Sequence, residues 1–455
     1  MTIVDFPARR QPRAKKKIAV IGSGVAGLGA AWALRDTADV TLFEKRDRLG
    51  GHSCTVNIDY DGKTIPVDVG FIVFTPRQYP NLTALFDHLD VETQPTKMSF
   101  GYSEAGGIEW CSNLLGFAAQ KRNMFRPSHL GMIADMVRFC LTAKRDLARG
   151  RARGIRLCDY LDQRGYGKAF QDRFLLPMAG AIWSASADEM KEQEAEAFLE
   201  FFAAHGLTDF ERPEWRTVAG GSRNYVNRIA RALEGRIVTN AGVKSVRRTP
   251  CGVTINFTDG PARNFDDVIL ACHADQARAL LADADQNELD FLNAIPFRKN
   301  RVVLHRDPSL APDRDLALAS WNSRREHDSD AAYVTYDMNQ LQHIDPDKPV
   351  FVTLNPTRDP DPALTFAEFE FDHPGMSSAS IAARRRFNQV QGVRNTWFAG
   401  AWLGYGFHED GLTSGLRAAL RLGGSVPWDF TGSALDGGPI PAAAQDADAA
   451  RIAAQ

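Results

Sequence analysis

Residues 17–44 constrain this chain more than any other stretch. Lys17-Ile18-Ala19-Val20-Ile21 is a short β-branched apolar run, the composition of a parallel strand buried on both faces. It passes directly into Gly22-Ser23-Gly24-Val25-Ala26-Gly27, then a helical run from Leu28 to Leu34. A second strand, Val40-Thr41-Leu42-Phe43, closes on Glu44. Each part has a task in holding a dinucleotide. Gly22 permits the tight turn, Gly24 lets the backbone approach a pyrophosphate, and Gly27 lets helix and strand pack closely. The helix N-terminus, from Ser23 through Val25 and Ala26, offers N–H groups and a positive dipole end to phosphates. Glu44 can accept from ribose hydroxyls.

The stretch beyond this acid favours FAD over NAD. The chain continues Glu44-Lys45-Arg46-Asp47-Arg48-Leu49-Gly50-Gly51-His52, a basic stretch and then a glycine pair. This resembles the flavin-containing amine oxidase and phytoene desaturase superfamily, whose pattern is E-x-x-x-R-x-G-G-R. The resemblance implies FAD, and since no Cys or His here is marked as the covalent link that other superfamily members use, non-covalent FAD is expected. The resemblance puts Glu44, Arg46 and Arg48, with Lys45 between them, at the adenosine and pyrophosphate, and Gly50, Gly51, His52 and Ser53 along the flavin chain. His52 stands where the pattern has Arg. Asp68-Val69-Gly70-Phe71 resembles the D-x-G element beside the flavin, contributing Gly70 and Phe71. Gly220-Gly221 and the strand from Ile237 to Val246 resemble the segment that brings Val243 to the adenine. Asp267 to Cys272 resembles the strand closing the FAD domain and adds Cys272. Near the end, Gly400 and the run Gly406 to Gly415 resemble the loop and helix N-terminus at the flavin pyrimidine edge, with Gly400, Asp410, Gly411 and Leu412 as contacts. Family members commonly have an acid where this chain has Ala401.

The fold class expected is α/β: a discontinuous Rossmann-like FAD-binding domain with an inserted α+β substrate domain. The FAD-binding domain is assigned to 17–85, 215–275 and 391–425, and the substrate domain to 86–214 and 276–390. A basic arm at 1–16 and an Ala/Asp/Gly/Pro-rich tail at 426–455 are expected to be disordered. The arm reads either as solvated chain or as a contact for anionic lipid.

The formal net charge of −2 argues against a dedicated nucleic-acid binder, which needs a strong basic excess, and leaves room for local basic patches. Six scattered cysteines, without C-x-x-C or metal spacing, read as reduced buried thiols, so no metal site is expected and the location expected is cytoplasmic. No run approaches the roughly 18–20 apolar residues that span a bilayer. Residues 121–156 combine Met124, Phe125, Leu130, Met132, Ile133, Met136, Val137, Phe139 and Leu141 with Lys121, Arg122, Arg126, Arg138, Lys144, Arg145, Arg149, Arg151, Arg153 and Arg156, without a nearby matching acid run. That pattern fits either a core-packed helix with a solvated basic face or a peripheral contact with the anionic inner membrane surface.

Amine oxidases of the superfamily commonly carry an aromatic wall where this chain has His408, and a lysine near flavin N5 where alignment puts Asn300. Both departures disfavour amine oxidation. Phe71-Ile72-Val73-Phe74, Tyr79-Pro80-Asn81-Leu82, Trp321-Asn322, Val334-Thr335-Tyr336, Asn355-Pro356 and Gly404 to Gly411 resemble a narrower bacterial group. Its members accompany methyltransferases of the cyclopropane-fatty-acid-synthase type and include the desaturase of furan fatty acid biosynthesis. The resemblance implies a methyltransferase partner, an acyl-lipid substrate that is methyl-branched and phospholipid-borne, and introduction of a C=C bond by hydride transfer to flavin N5. His408, His52 and Tyr336 are the candidates for taking the proton. An amine or isoprenoid oxidase, or a non-redox flavoprotein partner of the methyltransferase, are the alternatives.

Overall fold

The computed structural model describes residues 15–209, 213–326 and 332–432. Its organising layer is a five-stranded parallel sheet in the order Thr396–Phe398, Asp267–Leu270, Lys17–Ile21, Asp39–Phe43, Ile237–Val238. Lys17–Ile21 lies centrally, and its apolar residues from Ile18 to Ile21 are buried between two layers. That environment explains why the run has no polar alternation.

Helix Val25–Leu34 is buried along its whole length because helix His408–Arg421 packs against it. The two backbones meet at small residues. A Cβ on Gly29 would stand 2.5 Å from Leu412 Cδ1, and one on Gly415 would stand 2.0 Å from the Ala26 carbonyl oxygen. The last helix of the fold is thereby fixed to the first, and it brings the closing segment to the glycine-rich turn. A three-stranded antiparallel meander, Val243–Thr249, Gly252–Phe257 and Arg263–Phe265, completes this half. Buried Arg248 ties it to helix Gln286–Asn293 through Glu288 at 2.8 Å.

The other half is a seven-stranded sheet in the order Thr365–Pro374, Phe297–His305, Phe351–Leu354, Ala332–Asp337, Trp321–Arg325, Phe100–Glu104, Glu109–Cys111. Its pairings are antiparallel except that of Trp321–Arg325 with Phe100–Glu104. Helices between Pro127 and Ala204 form a second apolar cluster with it, including Phe139, Phe170, Trp183 and Phe202. The architecture is the α/β fold expected: a Rossmann-like sheet with a second, mixed half.

Two expectations change. Residues 426–432, assigned to the tail, pack onto the fold. Trp428 stacks over Trp32 at 5.5 Å, and the Thr431 N–H donates to Asn81 Oδ1 at 3.1 Å. The polar, small-residue composition of the whole stretch concealed these few anchoring side chains. Residues 1–14 and 433–455 of the expected arm and tail lie outside the described residues. No disulfide joins the six cysteines, but only Cys54 and Cys111 are buried and Cys251 is exposed. Among the described residues, no helix is long and apolar enough to cross a membrane.

Candidate functional site

The glycine-rich turn shows what each glycine is for. Gly22 has φ +105°, a conformation that favours glycine, and a Cβ there would meet the Ala271 carbonyl oxygen at 2.4 Å. A Cβ on Gly27 would stand 1.9 Å from the Gly22 oxygen, so helix and strand touch at that point. Gly24 differs: nothing lies within 4 Å of its missing Cβ. The turn is therefore open where a ligand would approach and closed everywhere else. Glu44 supports it from below. One carboxylate oxygen accepts from the Ser23 N–H at 3.0 Å and the Ser23 hydroxyl at 2.6 Å, and the other accepts from the Arg46 N–H at 2.9 Å.

The second loop lies directly on the first. The Gly50 N–H donates to the Ser23 carbonyl at 3.0 Å, and a Cβ on Gly51 would stand 3.0 Å from Gly24 Cα. Gly70 passes so close to this loop that its Cβ would lie 2.1 Å from the His52 oxygen, which accepts from the Phe71 N–H at 2.9 Å. Asp68 anchors the approach. Fully buried, it accepts from the Thr55 hydroxyl, the Ser222 backbone and hydroxyl, and the Gln342 side chain. Burial pushes its pKa up to about 6 despite those donors.

A cavity of about 870 Å³ starts at this turn and ends at the seven-stranded sheet. Gly22 to Ala26 and Glu44, Lys45, Arg46 and Arg48 line one end, with Val243 beside them. Gly51, His52, Gly70, Phe71, Cys272 and Gly400 line the middle. Tyr336 and His408 line the far part, together with Ile182, Val302, Trp321, Val352, Leu354 and Phe371. Gly27, Gly50, Ser53, Asp410, Gly411 and Leu412 lie outside the lining. The Asp410 carboxylate instead accepts from the Tyr405 and Phe407 N–H groups at 3.1 and 2.9 Å, closing the loop before the last helix. The Gly411 N–H donates to the Phe407 carbonyl, and Leu412 fills the notch at Gly29.

His408 is held on three sides. Its ring stacks on Phe71 with centroids 3.8 Å apart and planes 7° apart. Its Nε2 lies 2.7 Å from the Tyr225 hydroxyl and 3.0 Å from Ser53 Oγ. Burial lowers its pKa to about 3, so the imidazole is neutral throughout the neutral range. Tyr336 keeps its phenolic proton for the same reason, since burial raises its pKa. Its ring meets Trp321 edge-on at 5.3 Å.

His52 belongs to a group that the sequence did not reveal. His273 and His373 lie 6.0 and 5.6 Å from its ring centroid, and Phe371 lies 5.0 Å away. Burial, then the neighbouring histidines, lower its pKa well below the ordinary value. Its buried Nε2 has no partner among the described residues. His373 Nδ1 lies 3.0 Å from Ser184 Oγ, and burial lowers its pKa to about 4. His273 follows Cys272 at the C-terminal end of a parallel strand, the place where such folds bind ligands, so that position carried a usable signal. His373 had none.

Asn300 is a correction. It is buried outside the cavity lining, donating to the Arg298 carbonyl and accepting from Asn355 Nδ2 at 2.8 Å. Val302, two residues on and therefore on the same strand face, lines the cavity where Asn300 does not. Among the described lining residues, Lys45 at the glycine-loop end is the sole lysine.

The sequence pattern of the flavin containing amine oxidoreductase family matches residues 25–305. The chain belongs to this family. AofH of Mycobacterium tuberculosis, a protein named as a flavin-containing monoamine oxidase, is 27% identical over 392 residues, covering 81% of this chain and 77% of that protein. A putrescine oxidase variant superposes with a TM-score of 0.64 at 17% identity, covering 90% of this chain and 99% of the other. A CLA-producing fatty acid isomerase from P. acnes superposes with a TM-score of 0.62 at 17% identity, covering 89% and 98%. At these identities the structural likeness establishes the fold.

The cofactor of this flavin-dependent family member is FAD, and the site fits it. The open position at Gly24, the loop pressed against it at Gly51, and the basic side chains Lys45, Arg46 and Arg48 form a cradle at one end of the cavity of about 870 Å³. A side chain at position 24 would project into that cradle.

Proposed function

We propose that this FAD-dependent oxidoreductase is a fatty-acyl desaturase that introduces a C=C bond into a methyl-branched, phospholipid-borne acyl chain. The observation that carries this reading is the far wall of the cavity. Ile182, Val302, Val352, Leu354 and Phe371 present apolar surface, without a lysine at that end among the described residues. Such a wall buries methylene groups favourably, at about 0.8 kcal/mol per CH₂. One protein of the same fold is a fatty acid isomerase, which agrees with this reading.

Bound FAD supplies the two-electron acceptor for a hydride. Glu44, Ser23 and the two glycine loops are assigned to hold it, with Lys45, Arg46 and Arg48 facing its charged portion. The apolar far wall orients the chain and excludes water, leaving one C–H to give a hydride and its neighbour to give a proton. His408 is assigned to take that proton. Its Nε2 is engaged by Tyr225 and Ser53, so its free lone pair lies on Nδ1 when Nε2 carries the hydrogen. Tyr336, protonated, serves as a hydrogen-bond donor and not as a base. The methyl branch implies a methyltransferase of the cyclopropane-synthase type acting beforehand.

A second reading, amine oxidation, is favoured by the relationship to AofH. The lipid composition of cells with and without this chain separates the two. Loss of an unsaturated, methyl-branched acyl species on deletion supports desaturation, and an unchanged lipid profile overturns it.

A further inference from the structure

Residues 110–156 carry ten basic side chains and two acidic ones in a chain whose net charge is −2. Their apolar residues are also in unexpected places. Helix Pro127–Ala148 buries one face, with His129, Met132, Phe139, Thr142, Ala143 and Asp146. Its opposite face should be polar. Instead Leu130, Ala134, Val137 and Leu141 form an exposed stripe at spacings of four, three and four residues, which fall on one side of a helix. The preceding loops add Leu114 at 90% exposure, Leu115 at 69% and Phe125 at 86%. Side chains of this size, gathered within one short stretch of chain, mark an interaction surface.

The charges around the stripe identify what it meets. Arg138 pairs with Asp135, Lys144 with Asp209, Arg151 with Asp146, Arg153 with Glu196, and Arg156 with Asp159 and Glu192. Lys121, Arg122, Arg126, Arg145 and Arg149 have no acidic partner among the described residues. Three of them precede the apolar stripe and two come after it. This is the arrangement of an interfacial helix, whose apolar side chains enter the acyl boundary while flanking Lys and Arg reach anionic headgroups.

We infer that this face, formed by residues 114–149, docks on the surface of an anionic lipid bilayer. A second copy of the chain fits it poorly, because a two-fold contact sets the same patch against itself and would oppose two sets of unpaired cations. A bilayer of anionic lipid supplies both a sink for Leu114, Leu115, Phe125 and Leu141 and the countercharge. The inference rests on this surface and not on the acyl-chain reading, although docking would bring the protein to a phospholipid-borne substrate.

The test is co-sedimentation of the FAD-loaded full chain with vesicles of phosphatidylglycerol and phosphatidylcholine, compared with phosphatidylcholine alone. Binding to the anionic vesicles at low salt, weakened by added salt, is the expected result. The variant Leu114→Ser/Leu115→Ser/Phe125→Ser and the variant Lys121→Glu/Arg122→Glu/Arg126→Glu should each weaken binding by about tenfold or more, with wild-type flavin absorbance and melting temperature. Lack of binding to anionic vesicles at low salt would overturn the inference. So would wild-type binding by both variants, or a solution dimer that the serine variant dissociates. Vesicle binding without acyl-chain oxidation would leave this surface standing and remove the desaturase reading. Oxidation of dispersed lipid without vesicle binding would do the reverse.

Discussion

Glu409 and Asn81, far apart in sequence, are joined by hydrogen bonds of 2.9 Å from both the backbone N–H and the side-chain amide of Asn81 to the Glu409 carboxylate. The Leu82 N–H donates to its other oxygen, also at 2.9 Å. Glu409 thus satisfies the N-terminus of helix Pro80–His88 from the first turn of the closing helix. It gives a physical reason for Tyr79-Pro80-Asn81-Leu82 and His408-Glu409-Asp410 to occur in one chain.

Replacing Glu409 with Ala should destabilise the fold by about 1–3 kcal/mol, the cost of leaving buried donors unpaired. Urea unfolding monitored by circular dichroism measures it, with Glu409→Gln expected to lose less. A variant as stable as the wild type would show that the contact carries no weight.

Two glycine substitutions should fail in different ways. Gly27→Ala forces a Cβ to within 1.9 Å of the Gly22 oxygen, so it should destabilise the protein by about 1–3 kcal/mol or more. Gly24→Ala meets nothing within 4 Å and should leave the apoprotein melting temperature unchanged while weakening FAD affinity. Thermal melts and flavin titration separate the two effects. Equal FAD affinity in Gly24→Ala would remove the pyrophosphate from that position.

Stability should fall as pH drops from about 6.5 towards 4. Burial lowers the pKa values of His205, His305 and His373 to about 4 and of His408 to about 3. Depressed folded values mean that the unfolded chain binds more protons in this window, so the stability is present above the unfolded pKa and lost as pH falls. Asp68 and Glu409 act in the opposite sense. Their folded pKa values are raised to about 6 and 7, so their contribution is present at low pH and is lost as pH rises through those values. The histidines outnumber them, which sets the net direction. Chemical denaturation across this range checks it, and His408→Gln should flatten the acid side.

The assignment of His408 gives a kinetic prediction. His408→Gln should slow flavin reduction by about 10²–10⁴-fold, the range for loss of a positioned acid–base group, with little change in substrate affinity. The wild-type rate should show no ionisation near pH 6.5, because the His408 pKa is about 3. A rapid-mixing profile with a limb near 6.5 that disappears in the variant would contradict the assigned electrostatics.

The parts legible in the sequence were those whose local physics is unambiguous. Gly22 and Gly27 could be read because a strand–turn–helix closure allows no Cβ there. Glu44 could be read because it ends the neighbouring parallel strand. Asn300 was misplaced because residues two apart share a strand face, so the pattern alone could not tell it from Val302, which lines the cavity, while Asn300 is engaged by Asn355 from a distant segment. His373 and the partners of His408, Ser53 and Tyr225, come from distant segments, and no local pattern announces such meetings. Trp428 was hidden because a few anchoring contacts, its stacking on Trp32 and the hydrogen bonds to Asn81, can order a stretch whose composition otherwise resembles disordered chain.

The central claim concerns the substrate. Anaerobic mixing of the FAD-loaded protein with a methyl-branched phospholipid, then flavin absorbance and mass spectrometry of the acyl chain, tests it most directly. The predicted result is bleaching of the oxidised flavin band together with loss of two hydrogens from the lipid, and no bleaching by amines. Bleaching by an amine, with the lipid unchanged, would contradict it.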